Sequence, residues 1–240
     1  RLLVIADDLT GALDTGVQFA RAGVRTKVVT HGHLARVLRS CGEPVLVVDT
    51  ESRHLAADRA GSRVAFCVRA ARARGVDRFY KKTDSTLRGN VGAELAALIT
   101  ASGGRELFFV PALPKAGRVT RSGVQLVDGV PLHESSFARD PREPVLGTSV
   151  KGIIAAQSGM QVVTVGRGEN PATALAGRGH PLIVAFDAET DEDLEAIAGR
   201  LAVCDTPHLT AGCSGFAAFL PRLHDLQTGP LERAALRPPL

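Results

Sequence analysis

Short runs rich in Val, Leu and Ile alternate with helical patterns along this chain, and this alternation constrains the fold more than any other feature. Such runs are typical of strands buried on both faces of a parallel sheet. The strand candidates are residues 2–6, 26–30, 44–49, 78–81, 106–110, 161–165 and 181–186. The helix candidates are residues 11–22, 33–39, 56–74, 89–101, 149–158, 171–176, 191–203 and 214–220. Because crossovers between parallel strands are right-handed, this order predicts an α/β fold, a doubly wound and mostly parallel sheet flanked by helices.

The alternation breaks after residue 110, which predicts an insertion into this plan. Residues 111–122 have the composition of a loop rich in Pro, Gly and basic residues. Residues 123–132 alternate apolar and polar side chains around Asp128-Gly129, a strong signal for a β-hairpin. Residues 133–144 are polar and irregular, and a long connection of this kind usually has a function. We therefore expect an inserted β-hairpin and a long loop.

These elements predict an α/β domain over residues 1–222, built as one body or as two lobes of about 1–145 and 146–222. The stretch 223–240 contains three Pro and is typical of a linker or tail.

Composition narrows the classes of partner. The net charge is +4 and its arginines are scattered, while aromatic residues make up 4% and Trp is absent. Nucleic-acid binding asks for a basic stripe with stacking aromatics, so we expect no nucleic-acid partner. No apolar run approaches the ~20 residues of a membrane span, and the first residues lack the pattern of a signal peptide. We therefore expect a cytoplasmic protein with no membrane partner. The four Cys show no C-x-x-C spacing, which favours reduced thiols over a metal or redox site.

The densest cluster of polar residues follows the fourth predicted strand. It contains Lys82, Asp84, Ser85, Arg88 and Asn90. Arg can bind a carboxylate or phosphate with two parallel hydrogen bonds, Lys adds a point charge, and Asp can bind a hydroxyl or remove its proton. Because open α/β sheets bind ligands beyond the carboxyl ends of their strands, we expect a site for a small polar anion here. The alternative is a helix start stabilised by a salt bridge.

Two further segments repeat this arrangement. Asp7 and Asp8 follow the first strand, Thr10 comes next, and Arg53 follows the third strand. One Asp is expected to cap the helix, which leaves the other for a ligand; the alternative is that both are capping or solvated residues. Neither G-x-G-x-x-G nor G-x-x-x-x-G-K-[ST] occurs, so the chain lacks a recognisable nucleotide-phosphate loop.

Four segments carry a resemblance to a known family: residues 5–12, 49–53 and 82–90, and residues 129–132 with 137–141. In order, and from about residue 2 to 220, they resemble the four-carbon acid sugar kinase family, long described as a domain of unknown function. The resemblance implies an ATP-dependent kinase that phosphorylates the terminal hydroxyl of threonate, erythronate or 3-oxo-tetronate.

The resemblance covers only the family's N-terminal domain, which holds the acid sugar. A C-terminal domain of similar size supplies the glycine-rich nucleotide site in the family. We therefore expect this nucleotide-binding domain to be absent from the chain, and ATP and Mg²⁺ to come with a second domain or chain.

On this resemblance, Arg88 and Lys82 bind the substrate carboxylate, and Asp8, Asp84 and Ser85 bind its hydroxyls. One Asp orients or deprotonates the attacking hydroxyl, with Asp84 favoured over Asp8 as the catalytic group. The remaining members of the predicted substrate site are Asp7, Thr10, Arg53 and Asn90. No metal ligand is predicted. The expected partners are a small sugar acid and ATP, with a homodimer left open.

Two other functions stay open at this point. The same cluster would suit a non-catalytic module or partner subunit that binds sugar acids and transfers no phosphate. A metal-assisted phosphatase that uses Asp7 and Asp8 would instead release phosphate from sugar phosphates without ATP.

Overall fold

Eight parallel strands form the central sheet of the protein. The computed structural model describes residues 1–145, 147, 149–203, 209–226 and 228–229. The strands of the sheet are β1 (Leu2–Ala6), β2 (Thr26–Thr30), β3 (Val45–Asp49), β4 (Arg78–Lys82), β5 (Glu106–Val110), β9 (Gln161–Val165), β10 (Leu182–Phe186) and β11 (Leu209–Gly212). Their order in space is β2-β3-β1-β4-β11-β5-β10-β9, and every neighbouring pair is parallel. A second sheet of three antiparallel strands consists of β6 (Arg118–Arg121), β7 (Val124–Val127) and β8 (Val130–Pro131).

Helices cover both faces of the large sheet. They are α1 (Leu9–Arg21), α2 (Leu34–Ser40), α3 (Ala57–Arg72), α4 (Val91–Ser102), α5 (Val150–Gln157), α6 (Pro171–Leu175), α7 (Asp191–Ala202), α8 (Ser214–Ala217) and α9 (Leu220–Leu223). One buried core lies between the sheet and α2 to α5, and the other lies between the sheet and α1 and α6 to α9. The predicted doubly wound α/β fold is therefore confirmed.

The two cores explain the composition of the strands. Along β1, Leu2 and Val4 belong to one core, whereas Leu3 and Ile5 belong to the other, and all four side chains are fully buried. A strand with both faces buried has no position for a solvated side chain, so its residues are apolar throughout. Each such side chain contributes about 1.5–3 kcal/mol of transfer free energy.

Local signals set the helix ends. Thr190 and Asp193 form a capping box at the start of α7, in which each side chain accepts a hydrogen bond from the other's backbone N–H. Gly103 ends α4 in the left-handed conformation, with φ of 69°. The connection from β4 to β5 runs through α4, which packs on one face of the large sheet.

The hairpin predicted around Asp128-Gly129 is confirmed. Both residues have positive φ, 51° and 81°, and they join β7 to β8. The prediction of loop over 111–122 is wrong in part, because this stretch contains β6. Ser122 and Gly123, with φ of 51° and 73°, turn β6 back onto β7. The long stretch after β8 contains two short 3₁₀ turns, Leu132–Glu134 and Ser136–Arg139.

Two differences concern the last part of the chain. The strand β11, which lies between β4 and β5 near the middle of the sheet, was not predicted. The helix predicted at 214–220 is two short helices, α8 and α9, and Pro221 lies in the first turn of the second. Of the predicted tail, residues 227 and 230–240 lie outside the described residues.

Both of the lobes considered above, about 1–145 and 146–222, contribute strands to the eight-stranded sheet. From the second lobe, β10 pairs with β5 of the first, and β9 pairs with β10. In the part of the chain that the structure describes, no helix has the length and apolar character needed to cross a membrane. The described cysteines Cys41, Cys67 and Cys213 are all free and buried, and Cys204 lies outside the described residues.

Candidate functional site

The carboxyl ends of β1, β3, β4 and β11 meet at one edge of the sheet. The helix after β1 covers one face and the helix after β3 covers the other, so the chain reverses its winding direction at this point. A switch of this kind leaves a crevice at the strand ends. A cavity of about 330 Å³ lies there, lined by Asp8, Thr10, Gly11, Asp14, Arg53, Lys82, Asp84, Ser85, Arg88, Leu113, Cys213 and Ser214.

Asp8 begins the helix on one wall of this cavity. Its backbone is extended, with φ of −145°, and its Oδ1 accepts a hydrogen bond of 2.8 Å from the N–H of Gly11. This is the helix cap expected of one of the two Asp, and it satisfies a donor that has no partner within the helix. The other oxygen, Oδ2, accepts from Arg53 Nη1 at 2.7 Å. Both oxygens of Asp8 therefore already have partners.

Arg53 joins three carboxylates at the base of the cavity. Besides Asp8, its Nε lies 2.7 Å from Asp7 Oδ2 and its Nη2 lies 3.9 Å from Asp84 Oδ1. Burial works to raise the pKa of Asp7, but the charges on Lys81 and Arg53 outweigh it and hold that pKa below its ordinary value. Arg53 thus holds the carboxylates that follow β1 and β4 close together.

Asn90 holds the loop that carries Arg53. Its Nδ2 donates to the backbone oxygens of Ser52, Arg53 and Leu55 at 3.2, 3.3 and 2.8 Å. The structure therefore places Asn90 beside the cavity rather than in its lining, and it does the same with Asp7, which is 3% exposed. Their predicted contact with a ligand stays a prediction.

Asp84 and Arg88 form a two-pronged ion pair. Arg88 Nε lies 2.8 Å from Asp84 Oδ2, and Nη2 lies 3.0 Å from Oδ1. The Thr86 hydroxyl donates to the same carboxylate at 2.5 Å. Burial raises the pKa of Asp84, but hydrogen bonds from Arg88 and Thr86 and the charge on Arg53 hold it well below the ordinary range. A carboxylate with so low a pKa is a weak proton acceptor.

The long loop after β8 holds the other side of Arg88. Arg88 Nη1 lies 3.1 Å from Oδ2 of the loop residue Asp140. The Arg88 guanidinium lies 5.3 Å from the centre of the ring of Phe137, in the same loop. The inserted sheet contacts the same segment, because Gln125 Nε2 donates to the Ser85 carbonyl at 3.1 Å. The predicted hairpin and long loop therefore lie against the site.

A buried polar network underlies the cavity. Lys81 Nζ lies 3.0 Å from Glu94 Oε2, and both side chains are almost completely inaccessible, at 0% and 2% exposed. Ser52 donates to the other oxygen of Glu94 and shares a hydrogen bond of 2.7 Å with Thr50. Burial raises the pKa of Glu94, although the charge on Lys81 opposes it. This network ties α4 to the segment after β3, and sequence patterns gave no sign of it.

Lys82 differs from the other cations of the site. It is 5% exposed, and its Nζ donates to the Thr83 carbonyl at 2.5 Å. Within the described ranges, no carboxylate oxygen lies within the 4.0 Å of an ion pair from this Nζ. A Cβ at Gly11 would lie 2.9 Å from it, so the glycine leaves the space that the ammonium occupies. Lys82 is therefore the cation in this lining that is available to a ligand anion.

Four more groups of the lining have side chains without a hydrogen-bond partner in the described part of the chain. They are the hydroxyls of Thr10, Ser85 and Ser214 and the carboxylate of Asp14. Among the described residues, the cavity thus presents three hydroxyls and one carboxylate without a hydrogen-bond partner, and one ammonium without a carboxylate partner. This complement matches a small molecule that carries a carboxylate and several hydroxyls.

The structure brings most of the predicted residues together. The predicted residues that line the cavity are Asp8, Thr10, Arg53, Lys82, Asp84, Ser85 and Arg88. Sequence reasoning missed Asp14 and Ser214 as lining residues. Asp14 lies one helical turn after Thr10, so the spacing of a helix face was the signal that could have found it. Ser214 follows β11, and it was missed because that strand was missed.

Comparison with known proteins supports a single family. A family model described as "Sugar-binding N-terminal domain" matches residues 2–220. The D-threonate kinase of Salmonella typhimurium is 41% identical over 231 residues, which cover 92% of this chain and 53% of that kinase. The D-erythronate kinase of Heliobacterium modesticaldum is 38% identical over 206 residues, covering 82% of this chain and 47% of its own.

A solved structure shares the fold. It is a domain of unknown function from Bordetella bronchiseptica with bound citrate, described as a domain-swapped dimer, and it is 36% identical with a TM-score of 0.80. The match covers 93% of this chain and 56% of that one. The chain spans about half the length of the curated relatives it matches. It belongs to the four-carbon acid sugar kinase family, whose sugar-binding N-terminal domain it carries over residues 2–220.

Proposed function

We propose that this chain is the substrate-binding part of an ATP-dependent kinase that phosphorylates the terminal hydroxyl of a four-carbon sugar acid, such as threonate, erythronate or 3-oxo-tetronate. One observation carries the proposal. In the described part of the chain, the cavity offers an ammonium without a carboxylate partner, and three hydroxyls and a carboxylate without a hydrogen-bond partner. A polyhydroxy acid uses each of them, whereas an apolar ligand or an isolated anion would leave several unpaired.

The substrate carboxylate is assigned to Lys82. Its ammonium is buried at the cavity and lacks a carboxylate partner in the described part of the chain, so a ligand anion gains a charge-assisted hydrogen bond there. Arg88 lines the same cavity and adds positive potential, but its guanidinium is already bound by Asp84 and Asp140. We therefore give Lys82 the direct contact and Arg88 the supporting one.

The substrate hydroxyls are assigned to Thr10, Ser85 and the carboxylates at the strand ends. Asp8 and Asp84 line the cavity but already accept hydrogen bonds from Arg53 and Arg88. A carboxylate oxygen accepts more than one hydrogen bond, so each can still orient a hydroxyl. The low pKa of Asp84 suits an orienting role better than proton removal.

ATP is assigned to a second domain or chain. The sequence holds no recognisable phosphate loop. Within the described ranges, no group of three or more His, Cys, Asp or Glu side chains could hold a metal ion, and Mg²⁺ in kinase sites is bound through one or two carboxylates together with the phosphates of the nucleotide. The proposal therefore places the metal with the nucleotide, and closure of the two parts would exclude water. A kinase of this kind would act in the cytoplasm, and the dimer of the Bordetella protein supports a homodimer.

A non-catalytic sugar-acid-binding module is the second candidate. It is supported by the same cavity lined with polar groups and by the lack of a recognisable phosphate loop in the sequence. A phosphatase that uses Asp7 and Asp8 finds less support, because Arg53 pairs with both carboxylates and Asp7 is buried.

A thermal-shift screen tests the proposal. D-threonate, L-threonate, D-erythronate and Mg-ATP are added separately to the chain. An acid present at a hundredfold excess over its Kd stabilises the folded state by about 2.7 kcal/mol, which is several degrees in Tm. We expect a shift with at least one acid and none with Mg-ATP alone. A shift with Mg-ATP and with no acid would contradict the assignment.

A further inference from the structure

Asp14 is the carboxylate of the cavity whose role the proposed site leaves unassigned. It lies on α1 one turn after Thr10, is exposed at the cavity, and lines it. In the described part of the chain, no hydrogen-bond donor or cation contacts its side chain. The other two carboxylates of the lining, Asp8 and Asp84, each have both oxygens engaged. Asp14 is therefore the lining carboxylate with its full capacity to accept hydrogen bonds.

Burial gives the cavity an inner end and a mouth. Lys82 is 5% exposed and Asp84 7%, whereas Asp14 and Thr10 belong to the exposed residues of α1. A sugar acid whose carboxylate meets the Lys82 ammonium directs its opposite end towards the mouth. The terminal hydroxyl is that opposite end, and a phosphoryl donor held by another domain or chain can approach only from outside.

We propose that Asp14 binds the terminal hydroxyl of the sugar acid and accepts its proton during phosphoryl transfer. This inference rests on the proposed function. The hydroxyl O–H bond breaks, and its proton passes to a carboxylate oxygen of Asp14. The same hydroxyl oxygen forms a bond to the terminal phosphorus of a nucleoside triphosphate. The bond from that phosphorus to the bridging oxygen breaks, and its electron pair leaves with the nucleoside diphosphate.

The arrangement also separates the tasks of the three carboxylates. Asp8 starts the helix and pairs with Arg53, and Asp84 pairs with Arg88. The first ion pair joins the segments that follow β1 and β3, and the second lies within the segment that follows β4. Asp14 carries no such structural contact, and taking up a proton there breaks no ion pair in the described chain.

Ligand binding to the chain alone tests this inference without any catalytic readout. D-threonate is compared by calorimetry with 4-deoxy-D-threonate, which lacks only the terminal hydroxyl. If another acid binds best in the screen, it and its own 4-deoxy form replace this pair. A hydrogen bond to a carboxylate predicts that the unsubstituted chain binds the hydroxylated acid at least about tenfold tighter. In Asp14→Ala, the two acids should bind within about threefold of each other, chiefly through weaker binding of D-threonate. Asp14→Asn keeps a neutral acceptor, so its preference should be smaller than that of the unsubstituted chain.

Asp58→Asn is the matched control, because Asp58 is an exposed Asp in the first turn of α3 and lies outside the cavity lining. It should keep the full preference for the hydroxylated acid. Two variants at Asp14 guard against a folding defect, and the Tm of each without ligand reports it.

The outcomes separate this inference from the proposed function. A chain that binds none of the acids overturns both. A chain that binds D-threonate but keeps its preference in Asp14→Ala overturns the role of Asp14 and leaves the proposed function standing. Equal binding of both acids by the unsubstituted chain also overturns it, since the terminal hydroxyl would then have no partner.

Discussion

Replacing Lys82 with Met removes the charge that we assign to the substrate carboxylate while keeping a side chain of similar length. The Nζ of Lys82 is buried at the cavity, and among the described residues its hydrogen bond is to the Thr83 carbonyl. A hydrogen bond to a charged group contributes about 1.5–3 kcal/mol. At 1.4 kcal/mol per factor of ten, Lys82→Met should raise the Kd for D-threonate by roughly 10- to 150-fold.

A change in folding stability should not account for the weaker binding of D-threonate by Lys82→Met. A buried ammonium without a carboxylate partner is costly to desolvate, so its replacement by Met should leave the free energy of unfolding unchanged or raise it. Urea unfolding of the variant checks this point. Because the Lys82 site is buried, the loss of affinity should also persist at high salt, where exposed charge pairs are screened.

Calorimetric titration with D-threonate is the assay, and Lys151→Met is the matched control. Lys151 is exposed on α5 and lies outside the cavity lining, so its replacement should leave the Kd unchanged. A change of less than about threefold in Lys82→Met would refute the assignment of the carboxylate. An equal loss in both variants would show that the effect comes from net charge alone.

Three further results are expected. Gly11→Ala should weaken D-threonate binding and also lower Tm, because the new Cβ would lie 2.7 Å from the capping oxygen Asp8 Oδ1 and 2.9 Å from the Lys82 ammonium. Calorimetry and thermal melting of the variant measure the two effects. Lys81→Met should cost about 3–5 kcal/mol in urea unfolding because it leaves Glu94 buried without its cation, and adding Glu94→Leu should restore much of that loss. The pKa of Asp84 is depressed in the folded state, so its contribution is present above the unfolded pKa of about 3.9 and is lost as the pH falls below it. Asp84→Asn should accordingly lose less stability than the parent between about pH 5 and 3, and an identical acid profile would contradict this.

The parts of the fold that sequence predicts best are those with one strong local signal. The first strand is apolar at every position because both of its faces are buried. The hairpin turn at Asp128-Gly129 was found because two successive positive φ angles favour that pair. In both cases the local chemistry and the tertiary structure demand the same residues.

The strand β11 shows where such reasoning fails. Its sequence Leu-Thr-Ala-Gly has neither a run of β-branched residues nor a clear alternation. It is a strand because β4 and β5 leave a gap of one strand between them, and pairing on both sides satisfies its backbone. A signal that comes from distant neighbours cannot be read from a four-residue window.

The site was predicted in the same uneven way. The carboxyl ends of parallel strands lie at the same edge of the sheet. Sequence reasoning could therefore predict that this edge carries Lys82, Asp84 and Arg88. The direction of each side chain does not follow. Asn90 turns to the loop carbonyls, and Arg88 pairs with Asp84, because buried polar groups need hydrogen-bond partners and folding brings these within reach.

A crystal structure of the chain with D-threonate, or with the acid that stabilises it most, tests the central claim most directly. We predict that the acid lies in the cavity between α1 and the segment after β4, with its carboxylate on Lys82 Nζ and its terminal hydroxyl at Asp14. An acid bound in another cavity, or bound here with its carboxylate at the mouth, would contradict the account.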